Sequence, residues 1–257
     1  MLPLRDRLPT RRAPIVNYLL IAVNVLVFVW EQTAISLGYP ARALLFDWGL
    51  VPADFGTQPL AAAGSVFTSM FMHDPSGFWH IGGNLLFLWI FGDNVEDALG
   101  RGRYLALYLL GGVAAAGAQV LVDPSSHVPM VGASGAIAGV LAAYGSLYPR
   151  SPITVLNPIP ILWIFFGLFL ELPAWLIIAE FFLVNLLSGL GVTAASGGVA
   201  FFAHLGGFVA GLFLVRLLLP DRPPREHDRW DGFRPSRRAR PSRDPSAHRS
   251  WDGWPHR

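Results

Sequence analysis

The sequence contains no cysteine and no lysine. The first absence excludes disulfide frameworks, thiolate zinc sites and cysteine nucleophiles. The second makes arginine the basic residue throughout, a genomic composition bias rather than a functional signal, since a solvated surface accepts either cation. Charge of both signs is scarce: 14% of the 257 residues are Asp, Glu, Lys or Arg, against about 25% in a typical soluble domain. The charges crowd into the first twelve residues and the stretch after residue 219, and the middle is nearly free of them. With 53% hydrophobic residues, the composition is that of a membrane protein with polar ends.

A membrane-crossing helix needs about 20 mainly apolar residues. Six stretches meet or approach that length: 15–34, 79–97, 103–122, 134–149, 173–189 and 200–219. The first follows a basic flank but has no convincing cleavage site after it, so it reads as a retained membrane helix rather than a removed signal. The fifth belongs to a run that is too long for one crossing and short for two; Pro173 divides it, and 152–170 is expected as an interfacial or partly buried segment. Arginine positions test the count. Arg5, Arg7, Arg11, Arg12, Arg101, Arg103, Arg150 and the ten arginines after residue 219 all fall on one side of a six-span chain, and the opposite loops hold only Arg42. The positive-inside rule therefore puts both termini in the cytoplasm. The expected fold is an all-α polytopic membrane protein with six transmembrane helices. Residues 1–14 form a basic cytoplasmic N-terminus, 15–219 the membrane domain, and 220–257 a disordered Arg-rich tail with too few aliphatics to offset the entropy of folding. The long first outer loop, 35–78, is expected to hold short interfacial helices anchored by Trp48 and Trp79.

Polar groups inside a bilayer are costly and therefore functional candidates. Ser134 opens the fourth span from the outer side, within Gly132-Ala133-Ser134-Gly135. His204 lies about four residues into the sixth span from the same side, about 6 Å down at 1.5 Å per residue. His80 opens the second span, and Asn84 follows at i+4 on the same helical face. Four polar groups from three helices thus share one depth, in a topology drawn from arginines and span lengths alone. A serine needs a base within reach to become a nucleophile, and His204 can be that base. Asn84, His80 and the Ser134 backbone N–H can donate to an oxyanion. Gly135-xxx-Gly139 and Gly207-xxx-Gly211 give the fourth and sixth spans small faces that permit close approach.

Each group alone has a structural explanation: a membrane serine bonding its own backbone, a packing histidine, a headgroup-level histidine, an interhelical asparagine. Their conjunction carries the functional reading. His73 and His127 fall in outer loops and are expected to be solvated. Asp93, Glu96 and Asp97 sit beside Arg101 and Arg103 as a structural charge cluster. Glu180 has no assigned role. With no carboxylate expected near His204, the arrangement is a Ser–His dyad rather than a triad.

These motifs, His80-x-x-x-Asn84 in HIGGN, Gly132-Ala133-Ser134-Gly135, Ala203-His204-x-x-Gly207 and the run LLFLWIFGDNVEDALG, resemble those of the rhomboid family of intramembrane serine proteases. The resemblance covers about residues 15–219. It implies Ser134 as nucleophile, His204 as general base, His80 and Asn84 as oxyanion-hole residues, and Glu96 as a residue supporting the fold. It also implies single-pass membrane protein substrates, cut near the outer interface where small residues ease unwinding. The reading calls for the lipid bilayer as environment, a bacterial plasma membrane as location, and no cofactor, metal or nucleic acid. Two positions depart from the family pattern: Ala138 stands where some members have an aromatic residue four after the serine, and the first outer loop lacks their Trp-Arg pair. The competing readings are a non-catalytic relative that binds membrane helices and a small transporter using Asn84, His80, His204 and Glu180 as a proton relay.

Overall fold

The computed structural model describes residues 2–157, 163, 167–189 and 201–220. The first helix, α1 (Ile15–Ser36), is inside-out by the standard of a water-soluble protein. Asn17, Asn24 and Glu31 are fully buried with Leu20 and Phe28, while Leu19, Leu26, Val29 and Trp30 are exposed. The buried positions recur every three or four residues, so they form one stripe. A stripe of polar groups facing protein and an apolar face turned outward is what hydrocarbon surroundings require.

Three short helices follow in the loop where short helices were expected: α2 (Ala41–Trp48), α3 (Asp54–Thr57) and α4 (Pro59–Ser69). Trp48 packs edge-on against Trp30 at 5.4 Å, and Trp79 is 94% exposed. The stretch expected as a single second helix is broken into α5 (Phe78–Phe87), a π-helical turn (Leu88–Gly92) and α6 (Asp93–Leu99). The cause lies in α1. Asn17 donates from Nδ2 to the Leu88 carbonyl at 2.9 Å, and a Cβ on Gly92 would sit 2.2 Å from Asn17 Oδ1. The wider turn and the bare glycine let the amide enter the helix ladder.

The bundle is completed by α7 (Arg101–Val122), α8 (Ser134–Leu147), α9 (Ala174–Gly189) and α10 (Phe201–Leu218). Among the described residues, α1, α7 and α10 are long and apolar enough to cross a membrane, and α8 and most of α9 are shorter apolar helices. α8 lies at the centre, with Gly135 through Tyr144 all buried, as its small and apolar residues on every side dictate. Lipid is as apolar as leucine, so its packing depends on close van der Waals fit. The fit is tight. A Cβ on Gly207 would lie 2.0 Å from the Gly135 carbonyl oxygen, and one on Gly211 2.4 Å from that of Gly139. Below Gly139, the fully buried Tyr104, Tyr108, Tyr144 and Phe91 fill the core.

The fold departs from an all-α protein in one respect. A three-stranded antiparallel sheet joins β1 (Leu2–Asp6), β2 (Pro152–Leu156) and β3 (Phe169–Pro173) in that order. Leu2 pairs with Leu156, Asp6 with Ile153, and Pro152 with Pro173. The basic N-terminus is therefore tied to the segment between α8 and α9 rather than being a plain tail. Arg7 forms an ion pair with Glu171. Part of the segment expected to be interfacial is strand, because Ile153, Thr154 and Val155 are β-branched and buried on the bundle. The expected outer loop 190–199, the tail beyond residue 220 and most of 158–166 lie outside the described residues.

Candidate active site

Ser134 is the first residue of α8. The strand-like loop leading to it is pinned twice: Met130 exchanges backbone hydrogen bonds with Leu50 at 2.7 and 2.9 Å, and the Gly132 N–H donates to the Ser69 carbonyl at 2.8 Å. Gly132 turns the chain with φ of 126°, a conformation that favours glycine. A Cβ there would also meet the His80 ring at 2.8 Å. The glycine thus lets His80 lie directly against the serine loop.

His204 reaches the serine from α10, with Nε2 2.7 Å from Ser134 Oγ. The glycine contacts between α8 and α10 make that distance possible. The other ring nitrogen, Nδ1, is hydrogen-bonded to Oδ1 of Asn185 on α9. Asn185 is itself buried, and its Nδ2 donates to the Phe181 carbonyl at 2.8 Å. The Phe181 ring lies 6.0 Å from the His204 ring, tilted by 48°. Sequence reasoning missed Asn185. Its signal was the one amide side chain of a mostly apolar helix, one turn after a phenylalanine.

His80 stands on the other side of the serine. Its Nδ1 accepts the Asp74 backbone N–H at 3.0 Å, so the neutral ring carries its proton on Nε2, the atom facing Gly132. Asp74 is held below the usual carboxylate range, chiefly by the Ser76 N–H it accepts at 2.9 Å. Asn84, one turn along α5, is 6% exposed and its Nδ2 has no hydrogen-bond partner. Ser134, His204 and His80 line a single cavity of about 760 Å³, together with Met70, Trp79 and Arg42. Asn84 and Glu180 do not line it.

His73 is not solvated as expected. It is fully buried between the Phe28 ring at 5.9 Å and the His80 ring at 5.7 Å, and its backbone N–H donates to Glu31 at 2.8 Å. Burial, and then the proximity of His80, push its pKa down to about 4. His127 is exposed. At the opposite end of the bundle, Glu96 accepts the backbone N–H groups of Val16 and Asn17 at 3.1 and 2.7 Å. These are orphan donors of the first turn of α1, and a carboxylate there also complements the helix dipole. Among the described residues, no three His, Asp or Glu side chains are grouped to hold a metal ion.

A serine at a helix start, a histidine nitrogen at hydrogen-bond distance and a second histidine against the serine loop thus meet among apolar helices. The family model for the Rhomboid domain matches residues 62–221, and the chain belongs to the rhomboid family. It is 28% identical over 202 residues to Rhomboid protein 1, mitochondrial, of Saccharomyces cerevisiae, covering 76% of this chain and 51% of that protein. It is 29% identical over 210 residues to Rhomboid protease GluP of Bacillus subtilis, covering 80% and 35%. It is also 27% identical over 172 residues to Rhomboid protease AarA of Providencia stuartii, covering 60% and 56%. The chain thus spans from about a third to just over half the length of these relatives. The expectation of a bacterial plasma membrane finds no support, since the relatives include a mitochondrial protein alongside bacterial ones.

Proposed function

We propose that this chain is an intramembrane serine endopeptidase. The observation that carries the reading is the 2.7 Å contact between His204 Nε2 and Ser134 Oγ at the mouth of α8. His204 takes the serine proton as Ser134 Oγ attacks a peptide carbonyl, and returns it to the leaving amine. The donors offered to the developing oxyanion are the His80 Nε2–H and the N–H groups at the start of α8, with the Asn84 amide one turn along α5 behind His80. The unpartnered Asn84 Nδ2 supports its share in this, because its hydrogen-bonding capacity is not used by the fold.

The proposed topology has six crossings, with α5, the π turn and α6 together forming the second, both termini in the cytoplasm, and the cavity opening on the outer side. The arginine distribution supports it. The proposed substrates are single-pass membrane proteins whose helix unwinds at small residues near the outer interface. A helix shields its own peptide bonds, and Gly lowers the cost of exposing them by about 1 kcal/mol per residue. The names of two relatives, Rhomboid proteases GluP and AarA, favour catalysis over a binding-only role.

The test is cleavage of a model single-pass substrate in oriented proteoliposomes, comparing wild type with Ser134→Ala. Loss of cleavage in the variant, with fragment masses locating the cut near the outer interface, is the expected result. Equal cleavage by both, or failure of a fluorophosphonate probe to label Ser134 in the folded protein, would overturn the reading.

A further inference from the structure

We infer that Asn185 is the positioning residue of the Ser134–His204 pair, so that the working unit is Ser–His–Asn with the asparagine supplied by α9. The inference rests on the protease reading above and deepens it. His204 has two ring nitrogens, and only one tautomer serves: Nε2 must be bare to take the serine proton, so Nδ1 must carry the other. The group facing Nδ1 decides which tautomer prevails. That group is an amide, whose oxygen would accept an N–H and whose nitrogen could not. Which end faces the ring follows from the far side of the same amide. Nδ2 points at the Phe181 carbonyl, 2.8 Å away, where only a donor fits. Turning the amide over would set two oxygens against each other there and an N–H against the ring nitrogen. Oδ1 is therefore fixed toward His204 by a bond that His204 does not make.

The ring plane is held as well as the proton. Phe181 and Asn185 are four residues apart and project from one face of α9. The Phe181 ring packs on His204 at 6.0 Å while Asn185 bonds its edge. On α8, the position four after the serine is Ala138, fully buried and with nothing to stack on the imidazole. The orienting contacts that α8 does not provide come from α9. When His204 gains the serine proton, its Nδ1–H bond to Oδ1 becomes charge-assisted and shortens the gap to the transition state. A neutral amide does this without adding a buried carboxylate inside the membrane.

The test compares wild type, Asn185→Leu, Asn185→Asp and Ser134→Ala in the reconstituted full chain. It reads kcat and KM on the model substrate, the rate of fluorophosphonate labelling of Ser134, and thermal stability. Leu keeps the branching of the side chain and removes both bonds. Asp keeps an acceptor toward His204. The expected result for Asn185→Leu is a fall in kcat of about 10- to 100-fold, the scale of one buried hydrogen bond left unmade, with KM unchanged and labelling slowed in parallel. Asn185→Asp is expected to restore kcat to within about 10-fold of wild type. Wild-type kcat in Asn185→Leu would overturn the inference. So would equal losses in both variants tracking a fall in thermal stability, which would make the bond to Phe181 the one that matters. Undiminished cleavage by Ser134→Ala would instead remove the protease reading itself, whatever Asn185 does.

Discussion

At one end of the bundle, both oxygens of Glu96 accept backbone N–H groups of α1, and Asn17 bridges the Leu88 carbonyl and the Tyr104 hydroxyl at 2.9 and 2.7 Å. Nearby, Asp6 accepts from Asn94 at 2.7 Å and from Tyr144 at 2.9 Å. At the other end, the Asn84 amide nitrogen and both ring nitrogens of His73 are buried with no hydrogen-bond partner. A buried polar group left unsatisfied costs about 1–3 kcal/mol. The contrast separates two uses of polar residues in one membrane domain. At the Glu96 end Glu96, Asn17, Asp6 and Asn94 are spent on hydrogen bonds that fasten α1, β1 and α6 together. At the Ser134 end the Asn84 amide nitrogen is left unused by the fold, and in the proposed function it is the donor available to a charge that exists only during reaction.

The largest expected effect breaks the Ser134 end alone. Ser134→Ala and His204→Ala should each lower cleavage by about 10³-fold or more, with thermal stability unchanged in Ser134→Ala, which removes one hydroxyl, and lowered in His204→Ala, which removes a ring packed on Phe181 and bonded to Asn185. Cleavage assays paired with thermal unfolding check both halves. The reverse pattern is expected at the opposite end. Glu96→Ala leaves two first-turn donors of α1 buried without an acceptor and should destabilise the fold by about 2–4 kcal/mol. Whatever protein remains folded should keep near-normal kcat. A Glu96→Ala protein as stable as wild type would erase the distinction between the two ends. Asn84→Ala sharpens it from the other side. The loss of one oxyanion donor should cost about 10²-fold or less in kcat, with unchanged or slightly raised stability, since an unpartnered amide leaves the core. Full activity in that variant would remove Asn84 from the reaction.

The parts of this architecture legible in the sequence are those set by long-period patterns. The lengths of the apolar runs located helices at all six expected stretches, and the paired small-xxx-small motifs anticipated how α8 and α10 touch. Pairing of Ser134 with His204 followed from their shared depth. What was hidden depends on partners far away in the chain. The strands β1 and β2 are separated by most of the membrane domain, and each is too short to be read alone. The π turn is a response to Asn17, some seventy residues earlier. His73 sits in a loop run, Met-His-Asp-Pro, and is buried against Phe28 of α1 with its backbone N–H held by Glu31, two residues some forty positions earlier. Asn185 was hidden differently: the sequence offers no carboxylate near His204, but an amide oxygen accepts the same bond.

His73 gives the smallest effect and a pH signature. Above about pH 6.5 the ring is neutral in both the folded and unfolded chain and contributes no pH dependence. Between about 6.5 and about 4 the unfolded chain binds a proton that the folded protein refuses. Stability therefore falls as pH falls through that window, by at most about 1.4 kcal/mol per unit, and levels off below it, where both states are protonated. Glu31 and His80 also face this site and titrate on their own account, so the informative quantity is the difference between proteins. His73→Gln keeps the backbone N–H that Glu31 accepts and removes only the titrating ring. Its unfolding free energy should fall less steeply than that of wild type between pH 6.5 and pH 4, and the two curves should run parallel above that range. Parallel curves throughout would mean that His73 is protonated in the folded protein as readily as in the unfolded chain, and that the Ser134 end holds one fewer unmet polar group.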